Sequence, residues 1–247
     1  VTRTSLTIAG AAIALAAVAA CSSPTAPAAA QRDYAEACTG IVAMDAVVVT
    51  YPGADPSGPP PTADALKRWA ATVTPPFGTV AANVPAEFDP AVATLRTAID
   101  GTAKGTPIAP DDQASTAAGA ALDKWAHDSC GFTRIDVTGN GKDLPGVPAT
   151  VPAGAAALSF DNGGTPEQGG FVLLVARVKD GASYTLDGIR TGKVDFSSVA
   201  DVVAAVQPTQ GTAYGTAMLT AGRYLVVSPI GAPPEFTGTV ATDFEVR

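Results

Sequence analysis

The chain has 247 residues, with 15 basic against 23 acidic side chains, a single histidine and a formal charge of −8. That balance, with no basic cluster, excludes nucleic acid as a partner and gives the chain no charge-based hold on an anionic membrane. Aromatic residues make up only 6% while glycine and proline number 25 and 21, so an Ala-rich core buries little apolar area per residue and gains from a further staple.

Residues 1–20 have the three parts of a secretory signal peptide. Arg3 supplies the charge, an apolar run extends from Leu6 to Val18, and the small residues Ala19 and Ala20 precede a cut site. The run is short for a bilayer span, which takes about 20 residues. Val18-Ala19-Ala20-Cys21 resembles a bacterial lipobox. The resemblance implies that residues 1–20 are removed and that Cys21 becomes a diacylglyceryl-modified first residue. It also implies two or more acyl chains of the palmitate type, enough for stable attachment, on the extracytoplasmic face of the cell membrane. Removal of Arg3 leaves 14 basic and 23 acidic residues, a formal −9. Residues 21–30 are then the lipidated cysteine and a proline-bearing tether.

Residues 31–131 are patterned as helices. Tyr34, Cys38, Ile41, Val42, Val48 and Val49 recur at helical spacing, and Tyr51-Pro52-Gly53 should stop that helix. Thr62 is an expected N-cap for a stripe of Leu66, Trp69 and Val73. Pro75-Pro76 should break it, with a short helical piece to Asn83. Asp89 is expected as N-cap and Pro90 as first helical residue, with Val92, Leu95 and Ile99 on one face and a stop at Asp100-Gly101. Asp111 or Asp112 should cap a last helix bearing Ala118, Leu122, Trp125 and Ser129, closed by Gly131. Both tryptophans read as core. His127 lies five residues past Leu122, about 140° round the helix, and is expected on the exposed flank. With Cys21 lipidated, Cys38 and Cys130 remain as an even pair in an oxidising compartment, expected as a disulfide. It closes a loop of about ninety residues, about 4–5 kcal/mol in the chain-entropy model. An antiparallel bundle of about four helices would bring the two cysteines together.

Residues 132–247 are patterned as strands. Ile135 and Val137 alternate with polar residues, and Ala156, Leu158 and Phe160 alternate before Asp161-Asn162-Gly163-Gly164, a turn signal. Phe171–Val178 reads as a strand covered on both faces. Residues 195–206 read as a helix capped by Asp195, with Val199, Val202, Val203 and Val206 buried. Tyr214–Thr220, Arg223–Ser228 and Val240–Val246 complete a β-sandwich with one inserted helix. The fold class expected is therefore α+β.

Three stretches carry a family likeness: Val151-Pro152-Ala153-Gly154 with the following Ala157-Leu158-Ser159-Phe160-Asp161-Asn162, Leu219–Ser228 around Gly222 and Tyr224, and Gly238–Val246. Over roughly the last hundred residues they resemble a cupredoxin-like domain of bacterial envelope proteins. The resemblance implies a sandwich fold, but a blue-copper site needs two histidines and a cysteine thiolate. Ser228 stands where the cysteine would be, Gln168 and Gly169 fall near the first histidine position, and His127 lies outside the domain. The family's redox function is not transferable.

Other motifs are weak. Asp136 to Asp143 imitates the start of a calcium loop, but Val147 replaces the closing carboxylate, and a turn is expected. No Gly-x-Ser-x-Gly or His-Glu-x-x-His occurs, and zinc lacks ligands. Glu167, Gln168 and Asp180 read as solvated loop residues. Ser228, Ile230, Pro233, Pro234 and Phe236 form the expected partner or ligand surface at the end of the sandwich, or a plug if buried. No cofactor is implied. The expected role is non-catalytic binding of an envelope protein or small molecule. The alternative is an envelope hydrolase using loop carboxylates at the domain boundary, with a deep cleft between the domains, converging acids and at least one strongly raised carboxylate pKa. Metal carriage ranks third.

Overall fold

The computed structural model describes residues 32–53, 58–109, 111–163, 165–208, 211–233 and 235–247. The expected signal peptide, Cys21, the tether and Pro234 lie outside them. The first helix, α1 (Tyr34–Val48), starts where Asp33 accepts from the N–H groups of Ala35 and Glu36. α2 (Ala63–Asn83) is capped by Thr62 as expected, but it runs unbroken through Pro75 and Pro76. Tertiary burial overrides the two prolines. Trp69, Val73, Phe77 and Val80 make one buried stripe on both sides of them. At about 1.5–3 kcal/mol per large apolar side chain, that burial outweighs the roughly 3 kcal/mol that a helix-interior proline costs.

α3 (Asp89–Ala103) departs from expectation at both ends. A 3₁₀ turn (Ala86–Phe88) leads into it, Phe88 occupies the cap position, and Asp89 is already helical. The Asp89 carboxylate is instead gripped by Arg32, at 2.9 and 3.0 Å. The helix also passes Asp100-Gly101 and ends before Gly105, whose φ of +91° suits a terminating glycine. α4 (Gln113–Ser129) is capped by Asp112, which accepts from the N–H and Oγ of Ser115, and Gly131 with φ +67° follows it. Cys38 and Cys130 are joined, their Cα atoms 5.6 Å apart.

Among the described residues eight strands follow: β1 (Thr133–Thr138), β2 (Thr150–Val151), β3 (Gly154–Asp161), β4 (Leu173–Val178), β5 (Ala200–Val206), β6 (Thr212–Leu219), β7 (Gly222–Ala232) and β8 (Glu235–Val246). They form a three-stranded sheet in the order β1-β3-β6 and a five-stranded sheet in the order β2-β8-β7-β4-β5. The β1–β3 and β2–β8 pairings are parallel and the others antiparallel, so both sheets are mixed. The fold class is α+β.

The helix expected over 195–206 is a correction. Asp195 does cap a helix, but α7 is only Phe196–Val199, and Ala200–Val206 is strand β5. Val202, Val203 and Val206 are β-branched and suit a pleated surface. Pairing with β4 sets Val206 opposite Leu173 and leaves Val202 37% exposed, which a helical stripe would have buried. Two more short helices, α5 (Pro166–Gly169) and α6 (Leu186–Arg190), lie between strands, so the described residues hold three inserted helices where one was expected.

β4 is covered on both faces, as its apolar run implies. Leu173 and Val175 enter a core shared with Ile135, Leu158, Phe160 and Leu219 of the three-stranded sheet. Ala176 and Val178 face a second core with Ile189 and Val199, under α6 and α7. A third core lies among the long helices around Ile41, Trp69, Phe77 and Leu122. α1 and α4 also rest on β6, and residues 32–247 form one compact unit.

Candidate functional site

The residues expected as a contact surface separate into two groups. Ser228, in β7, is fully buried, and its Oγ has no hydrogen-bond partner. Gly170 covers it: a Cβ at that position would meet the Ser228 Oγ at 2.0 Å, and φ of +113° already requires glycine. Phe171 N–H donates to Pro229 O at 2.8 Å and closes the strand end. Ile230 is buried too. Ser228 and Ile230 are therefore beneath the surface rather than on it, because Gly170 and Phe171 fold over β7. Pro233 and Phe236 are exposed at the β7–β8 turn, Phe236 by 47%, and its ring stands edge-on to Phe171 at 5.8 Å. The surroundings of Ser228 supply neither imidazole nor thiolate, so these residues do not fit copper.

His127 is 7% exposed, a correction to the exposed flank expected of it. Its Nε2 is 2.8 Å from Asp136 and its Nδ1 3.0 Å from Asp128. Carboxylates only accept, so a ring N–H donates wherever one of these contacts is a hydrogen bond. Ser159 Oγ donates to the same Asp136 oxygen at 2.6 Å, and Tyr214 packs against the imidazole at 5.0 Å. The helix angle alone could not reveal this. β1 and β6 close over that flank of α4. The Ser159 hydrogen bond, then His127, hold the Asp136 carboxyl below its usual range. Lys124, then His127, lower Asp128 to about 2. With its ring nitrogens against Asp128 and Asp136, His127 clamps α4 to β1. In the Asp136–Asp143 loop, Asn140 Oδ1 accepts from the N–H groups of Lys142 and Asp143. This is the turn expected there, and no cluster of three His, Cys, Asp or Glu side chains suited to a metal occurs among the described residues.

Two acids that sequence reasoning passed over meet where the helices rest on the sheet. Asp45 of α1 accepts at Oδ2 from the N–H of Thr216 at 3.0 Å and from its Oγ1 at 2.6 Å. Asp123 of α4 turns a buried Oδ1 with no hydrogen-bond partner toward the same place. Both line a cavity of about 70 Å³ completed by Val48, Val49, Ala205 and Gly215. Burial pushes the Asp45 carboxyl up to about 6, against the pull of the Thr216 bonds. Burial and then the nearby Asp45 charge push Asp123 well above the usual range. Two such carboxyls favour sharing a proton over ionising together. A signal existed: Asp45 is the only charged residue between Glu36 and Asp55, within an apolar helix. Trp69 is core as expected, its Nε1 donating to Val47 O at 3.0 Å.

No protein-family model matches this chain, and a search of curated proteins finds no relative.

Proposed function

We propose that the chain is a bacterial envelope lipoprotein with a non-catalytic binding role, held by a lipid on Cys21 at the extracytoplasmic face of the membrane. In this reading its helices form a disulfide-tied bundle and its two sheets a copper-free cupredoxin-like sandwich. The strand orders β1-β3-β6 and β2-β8-β7-β4-β5, with one core between the sheets, support the sandwich. The Cys38–Cys130 pair supports an oxidising compartment.

The observation that carries the binding role is the β7–β8 turn. Ser228 and Ile230 seal the strand end, while Phe236 and Pro233 remain in solvent with Phe171 bracing the ring. An apolar side chain held out on a hairpin is a contact for another protein more readily than a small-molecule site. The test is a photo-crosslinker at Phe236 in intact cells. The expected result is one envelope protein captured there, not from an exposed control position such as Glu36, and lost when Pro233 is made aspartate. Equal capture at both positions overturns the role. Anchoring has its own test. Cys21→Ser should abolish labelled palmitate incorporation and release the chain from membranes; continued membrane retention without lipid overturns it.

The Asp45–Asp123 pair favours the second reading, an envelope hydrolase with acid–base carboxyls. Magnitude weighs against it. Ligand pockets run to about 300–1,000 Å³, whereas a cavity of about 70 Å³ has room for about two waters. Turnover of an ester, amide or glycoside by the full chain, lost in Asp123→Asn, would reverse the ranking.

A further inference from the structure

The geometry points to a proton-operated latch, in which one proton shared by Asp45 and Asp123 holds α1 and α4 down on β5 and β6. Of the residues around the cavity only these two titrate. α1 carries no other charge beyond Glu36 in its first turn. On α4, Lys124, His127 and Asp128 are engaged with one another and with Asp136. β6 offers only Tyr214, which lies under Lys124, and β5 only Asp201, which faces Lys179 at 3.4 Å. Among the described residues, no Lys, Arg or His acts on either carboxyl. Thr216 donates twice to Asp45 Oδ2 and sends nothing to Asp123 Oδ1, which is buried without a donor. A proton on one carboxyl supplies the missing donor and removes the repulsion. When it leaves, two like charges face each other across about 70 Å³, and separating helix from sheet admits the water that solvates them.

The sign follows from the raised carboxyl pKa values. The folded pair binds its protons more tightly than the unfolded chain, so the contribution is full below about pH 4, begins to fade as pH rises through about 6, where Asp45 ionises, and is lost only as the shared proton leaves Asp123 at higher pH. Hydrogen exchange of the full chain between about pH 5 and pH 8, corrected for intrinsic rates, tests it. Protection in α1 and α4 should fall roughly tenfold or more, while β7 and β8 hold theirs. Asp123→Asn, which keeps the shape and supplies a permanent donor, should remove that dependence, and Asp100→Asn on the exposed face of α3 should not. A flat wild-type profile, or an unchanged slope in Asp123→Asn, overturns the latch. Should that variant fail to fold, the infrared carbonyl band of a protonated carboxylic acid in the wild-type chain at neutral pH decides; its absence overturns the proposal.

Discussion

At the scale of single residues, burial without a partner is the recurring theme. Ser228 keeps a hydroxyl in an apolar site with no acceptor, and an unsatisfied buried polar group costs about 1–3 kcal/mol. Ser228→Ala should therefore raise stability by about 1 kcal/mol in a denaturant titration. Gly170→Ala should lower it by more than that, since its Cβ would collide with Ser228 and sit at positive φ. The bonds from Lys124 to Asp128 and from Ser159 to Asp136, with His127 between the two carboxylates, contribute to the acid side of the pH profile. Asp128 and Asp136 lie below their usual pKa when folded, so their contribution is present above about pH 4 and is lost as pH falls toward 2. His127→Gln should move the acid-unfolding midpoint to higher pH, read by circular dichroism.

At the scale of elements, packing decided where local rules disagreed. Pro75 sits exposed within α2 and withholds an N–H from the helix ladder. Replacement by alanine restores that bond, and Pro75→Ala should stabilise the protein by about 1–3 kcal/mol, measured by the denaturation midpoint. β5 shows the converse. Its valines satisfy a helical count on paper, yet β4 offers them a hydrogen-bonded edge and a β-branched fit. Element type was legible at α1, α4, β3 and β4, where caps, glycines and periodicity agree. It was illegible at the Pro-Pro step and at 200–206, where the competing interactions come from residues far away in sequence.

At the scale of the whole molecule, one covalent link and one polar seam tie helices and sheets together. Cys38 and Cys130 lie 92 residues apart, and their removal as a Cys38→Ala/Cys130→Ala pair should cost about 2–5 kcal/mol by chemical denaturation. The seam is the contact of α1 and α4 with β6, where Asp45 meets Thr216 across 171 residues. Glycine and proline punctuation and hydrophobic period were enough to determine the α+β class, the α2 cap and both ends of α4, and the expectation of a lipid on Cys21 pointed to the Cys38–Cys130 pair, because each depends on neighbouring residues or on the cysteine count. Only the tertiary structure decided that Asp45 and Asp123 face one cavity, that His127 is buried between two carboxylates and that Ser228 is sealed beneath Gly170. Those properties arise from desolvation and charge at short range, which act between side chains that the chain order leaves far apart.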